Sequence, residues 1–199
     1  MTSENAEPDD PFPDVRTNAA RALIFTTILA ALYGLVFVVF GRPHLTTSIE
    51  LISSLGLGAG LLLLSYIDLR TGLLLDMLTW PLVAFGLGYA AYEGTLAFAL
   101  AGAVIGYGLI AGLGLVWRRL RGYEGIGLGD AKLLAAGGAW VGVMGVPLIL
   151  LFASGTGLLV ALSVSQRSRL SQNQTAIAFG PSLAFAIWIV WCWGSFPNL

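Results

Sequence analysis

Seven apolar runs follow one another along the chain, at residues 22–40, 48–67, 77–93, 95–117, 131–144, 146–164 and 176–195. Nothing in the sequence restricts the fold more. About 20 apolar residues in a helix cross a bilayer. The third and fifth runs are short, and Gly145 with Pro147 are read as the turn that separates the fifth from the sixth. Only 11% of the residues are charged and the mean hydropathy is +0.83, whereas a soluble domain carries about twice that charge. The expectation is an all-α polytopic membrane protein of about seven transmembrane helices.

The basic residues orient it. With the N-terminus cytoplasmic, Arg16, Arg21, Arg70, Arg118, Arg119, Arg121, Lys132, Arg167 and Arg169 fall inside and only Arg42 outside. The C-terminus is then external. Residues 1–20 hold Glu4, Glu7, Asp9, Asp10 and Asp14 among three prolines, and are expected to be a disordered acidic tail ahead of a membrane domain over 21–199. No small-residue cleavage pattern follows the first apolar run, which reads as a retained anchor. The net charge of −1 is spread over membrane-flanking loops and points to no nucleic-acid partner. The one cysteine, Cys192, lies in the last apolar run, as a small hydrophobe with no disulfide partner. Gly102 and Gly106, Gly108 and Gly112, and Gly138 and Gly142 stand at GxxxG spacing, which lets helices approach closely; packing within the chain is preferred over a dimer contact.

Beyond the tail there are six acids: Glu50, Asp68, Asp76, Glu93, Glu124 and Asp130. Glu50 and Glu93 belong to outer turns and are read as solvated. The other four gather on the cytoplasmic side. The third and fourth runs form an out-and-back hairpin, so Asp68 and Asp130, 62 residues apart, return to the same membrane depth. Two carboxylates held close in a low-dielectric site cannot both ionise easily and share a proton. That is the chemistry of aspartic proteolysis, in which one carboxylate activates water while the protonated one polarises the scissile carbonyl. Each acid has a plainer reading. Asp76, just ahead of Met77, is read first as a helix cap, and Asp130 equally as a cap or a functional group. Asp68 ends a helix, where its charge opposes the dipole, and a surface pair with Arg70 is its alternative. Acids at a membrane edge are functional candidates by default.

Other chemistries lack their residues. GIGLGD (125–130) fits neither a phosphate loop nor a dinucleotide fingerprint, no serine sits in a GxSxG elbow, and His44 stands alone in an outer turn. No metal and no cofactor is expected. The alternating glycines would let a substrate backbone pass close to Asp130.

IDLRTGLLLDMLTWPLVAFGLG (67–88), GIGLGDAKLLAAGGAWVG (125–142) and AIAFGPSLA (176–184) together resemble the type IV prepilin peptidases, which are GxGD-type membrane aspartyl proteases. The resemblance covers about residues 48–195. It implies Asp68 and Asp130 as the catalytic pair and Gly127 and Gly129 as the motif glycines. Asp76, Lys132, Gly180 and Pro181 lie in the same blocks as secondary candidates. It also implies a multi-pass protein of the bacterial inner membrane, its site facing the cytoplasm, that removes leaders from pilin-like or pseudopilin precursors after a glycine. The chain departs from the family in reading Leu74-Leu75-Asp76 where Leu-Pro-Asp is usual. It also lacks the cysteine-bearing insert associated with methylation, so methyltransferase activity is not expected. The rival reading is a small proton-coupled transporter with the same aspartates as a relay. Transporters show repeats and midplane sites, and here no repeat is found and the acids lie at one edge.

Overall fold

A computed structural model describes residues 15–40, 48–121, 127–168 and 179–194. It contains α1 (Val15–Phe40), α2 (Ser48–Thr71), α3 (Asp76–Tyr92), α4 (Leu96–Arg121), α5 (Leu128–Val141), a 3-10 turn (Val143–Gly145), α6 (Val146–Ser168) and α7 (Gly180–Trp193). The described residues include no strand. Each expected run corresponds to a helix. Helix α1 starts six residues before the boundary expected at 21, and the tail up to residue 14 lies outside the described residues, as do His44, Glu124 and Gly125.

The breaks are set by backbone chemistry. α2 ends where Gly72 turns to φ +64°, with its N–H donated to the Asp68 carbonyl at 2.7 Å. Such a left-handed residue after a helix is usually glycine. The turn expected at Gly145 and Pro147 falls earlier, at Gly142 (φ +77°), whose N–H reaches the Gly138 carbonyl at 2.9 Å. Pro147 instead sits in the first turn of α6, where a missing N–H costs no helical hydrogen bond.

The helices differ in length, with the 17-residue α3 between the extremes. The stretches Ala22–Phe40, Ser48–Thr71, Leu96–Leu120 and Val143–Val160 are long and apolar enough to cross a membrane. α5 and α7 have 14 residues each, ~21 Å at the helical rise, short of a ~30 Å hydrocarbon core. These short helices are the interior. Nine residues of α5 and eleven of α7 are buried. Backbone that ends at membrane depth is tolerated where protein surrounds it.

Glycine sets the inner spacing. A Cβ on Gly102 would collide with the Gly138 carbonyl and one on Gly138 with the Gly102 carbonyl, while one on Gly106 would come 2.8 Å from the Leu134 oxygen. These residues therefore lock α4 against α5 within the chain. Gly108 and Gly112 face open space and take no part in that packing. Tryptophans tie α3 to α5, and α1 and α2 to α7. Trp140 covers Gly86 and donates Nε1–H to the Leu82 carbonyl at 2.8 Å. Trp188 donates to the Tyr33 carbonyl at 3.0 Å, and Trp191 to Ser54 Oγ at 3.1 Å. Cys192 is buried and forms no disulfide among the described residues. Glu50, expected to be solvated, is half-buried, with no hydrogen-bond partner for Oε2 among the described residues.

Candidate active site

Three helix ends meet at one side of the bundle. The C-terminal turn of α2 carries Asp68, which is only 6% exposed. The first turn of α5 carries Asp130, its N–H bonded to the Gly127 carbonyl at 3.2 Å. The first residue of α7 is Gly180. Between them lies a cavity of about 830 Å³ whose charged lining residues are Asp68, Asp76, Asp130 and Lys132. Gly127, Gly129 and Leu74 line it too, and Ile110, Leu150 and Phe179 add apolar wall. The hairpin of α3 and α4 thus returns Asp130 to the cavity that Asp68 enters from α2.

The two carboxylates differ in their surroundings. Asp130 precedes the apolar run of α5 and is half-buried; burial, and then the neighbouring Asp68 charge, push its pKa up to about 6. Asp68 Oδ2 is buried with no hydrogen-bond partner among the described residues. The Gly180 backbone N–H faces this carboxylate, at the positive end of α7. The dipole of α7 therefore opposes that of α2 at Asp68. A Cβ built on Gly180 would stand 2.5 Å from Asp68 Oδ2, so the absence of a side chain there is what admits the carboxylate. Pro181 follows, buried in the same first turn.

Several expectations are corrected at this site. Asp76 does not cap α3. The N-cap is Leu75 and Asp76 is already helical, its two oxygens taking the Lys132 ammonium at 2.5 and 2.6 Å. Asp130 does not occupy the cap of α5, which is Gly127. Arg70 turns to the Tyr66 hydroxyl at 3.2 Å rather than to Asp68. Gly129 packs on Leu74, whose Cβ would lie 3.0 Å from a Cβ placed there, so this glycine makes a helix–linker contact while it also lines the cavity. Gly127 is the open one, with Asp130 Oδ2 at 3.8 Å the nearest side-chain atom to an added Cβ. Leu74 and Phe179 line the cavity without a chemical signal in the sequence that marks them for it. A leucine in an apolar stretch carries no signal of its own, and Phe179 was marked only by its place before Gly180-Pro181.

Fold and site define a polytopic helical membrane protein with Asp68 and Asp130, from two different helices, set into one cavity at its helix ends. The chain belongs to the type IV leader peptidase family, which matches residues 55–162, a stretch that includes Asp68, Asp76, Asp130 and Lys132. It is similar to curated proteins named prepilin leader peptidase/N-methyltransferase. The identity is 42% over 135 residues with that of Burkholderia pseudomallei strain 1026b, covering 67% of this chain and 43% of the relative. It is 37% over 174 residues with that of Aeromonas hydrophila, covering 83% and 60%. It is 46% over 131 residues with that of Escherichia coli K12, covering 62% and 55%. The chain thus spans about half the length of these relatives. No solved structure matches it.

Proposed function

We propose that this chain is an aspartic endopeptidase that removes the leader from type IV pilin-like or pseudopilin precursors, working at the cytoplasmic face of the bacterial inner membrane. The observation that carries the reading is the pair Asp68 and Asp130 in one cavity, with the charge of one felt by the other. Family membership supports the substrate class, and the basic bias of the loops supports the orientation.

In this reading the two carboxylates divide the labour by position. Asp68, facing the α7 N-terminus, holds the negative charge and takes a proton from water. Asp130 holds the shared proton and donates it in a hydrogen bond to the scissile carbonyl oxygen. The water oxygen then bonds to the carbonyl carbon, the C–N bond breaks, and a proton passes to the departing amine. Neither a nucleophilic side chain nor a metal is part of this scheme. The methyl-transfer half of the relatives' names stays with those relatives and forms no part of this proposal.

The test is purified protein in detergent, mixed with a candidate precursor, with mass spectrometry of the products. One cut at the leader boundary is expected. Proton flux through reconstituted vesicles without any cleavage would favour the transporter reading instead.

A further inference from the structure

The first turn of α5 is gripped from one side. Gly129 and Lys132, three residues apart, share a face of the helix. Leu74 lies against the first of them, and Asp76 takes the ammonium of the second through both carboxylate oxygens. Leu74 lies in the short connection that leaves α2 three residues beyond Asp68, and Asp76 is the first residue of α3, which that connection enters. The segment that leaves one candidate carboxylate therefore holds the turn that carries the other.

An exposed ion pair alone contributes little to stability, and Asp76 is 57% exposed. Lys132 differs. Its side chain is 25% exposed, it lines the cavity, and it bonds a residue 56 positions away. Its effect is geometric. Resting on the peptidase reading, we propose that Asp76 and Lys132 are a positioning pair that fixes the first turn of α5 to the start of α3 and so sets Asp130 opposite Asp68. The pair touches neither water nor scissile bond in this scheme, and Lys132 is not a substrate contact.

Displacing a reacting group by about 1 Å costs up to about 10²-fold in rate, and a partial loosening costs less. Asp76→Asn and Lys132→Met should each lower kcat about tenfold, with KM changed by less than about twofold. The double variant should be no slower than the worse single one, since two groups acting through one contact are not additive. Losses that multiply, or a raised KM for Lys132→Met alone, would overturn the proposal and make the lysine a substrate contact.

A second readout does not need cleavage. Leu73 and Leu128, 67% and 58% exposed, stand on opposite sides of the clamp and both line the cavity. In a Cys192→Ala background, the rate at which a short bis-thiol reagent joins Leu73→Cys to Leu128→Cys reports how firmly α5 is held. Asp76→Asn should change that rate severalfold, and Asp76→Glu should restore it. An unchanged cross-linking rate would overturn the clamp even if the peptidase reading stands. A changed rate in a chain that cuts no precursor would uphold the clamp and sink the peptidase reading.

Discussion

Replacing Gly180 by alanine puts a methyl group where the Asp68 carboxylate now lies. The added Cβ would be 2.5 Å from Asp68 Oδ2, 2.8 Å from Cγ and 3.3 Å from Cβ. Non-bonded heavy atoms settle at about 3.5 Å or more, so one partner must yield by about 1 Å. Helix α7 is poorly placed to yield. Eleven of its residues are buried, and Trp188 and Trp191 anchor it through the Tyr33 carbonyl and Ser54 Oγ. The Asp68 side chain is therefore the part that moves, away from the α7 N-terminus and out of register with Asp130. A reacting group misplaced by about 1 Å costs about 10²-fold, and overpacking of this kind costs about 1–3 kcal/mol of stability. The assay is cleavage of a precursor followed by mass spectrometry, with the melting temperature in detergent as the folding control. Gly155→Ala is the matched comparison, because Gly155 in α6 has no atom within 4 Å of an added Cβ. The expected result is a kcat lower by about 10²-fold for Gly180→Ala in a folded protein and near wild-type cleavage for Gly155→Ala. Gly180→Ala within twofold of wild type would refute the link between the α7 N-terminus and Asp68.

Three further outcomes follow from the same geometry. Asp130, with a pKa raised to about 6 by burial and by Asp68, is protonated below that value and ionised above it. Cleavage should therefore fall on the alkaline side through a midpoint at or above about 6, higher when bound substrate removes more water, and a flat rate from about pH 5 to 9 would count against the shared proton. Gly129→Val should lose about tenfold or more in rate, by analogy with other displacements near reacting groups. Leu74→Ala should recover part of it, whereas Gly127→Ala should stay close to wild type, as measured by initial rates. Products released by this chain alone should carry a free N-terminal amine by mass spectrometry even with a methyl donor present.

The sequence marked the helices well because hydropathy is a local property: a run of apolar residues is helical in lipid whatever it packs against. It also brought Asp68 and Asp130 to one place, since a hairpin of two helices returns the chain to its starting depth. Partner choice across helices was not legible. The GxxxG spacing at Gly102 and Gly106 announced close approach, but the same spacing at Gly108 and Gly112 leads to open space, and only three-dimensional packing separates the two. Asp76 looked like a cap because it stands at a helix start. Its actual partner, Lys132, is 56 residues away, and no local pattern encodes that. Glycine permits many close approaches, and no local pattern announces that Leu74 packs against Gly129. Gly180 was marked only by resemblance; its contact with Asp68 joins residues on the second and seventh helices.

The central claim is that Asp68 and Asp130 act as one proton-sharing pair, and it is tested most directly by the cleavage rates of three variants that keep shape and remove exchange of the proton. Asp68→Asn, Asp130→Asn and the double variant, each purified and checked for folding, should all cut a precursor about 10³-fold more slowly or not at all. The double variant should be no worse than either single one. Asp130→Asn cutting at near the wild-type rate would contradict the account.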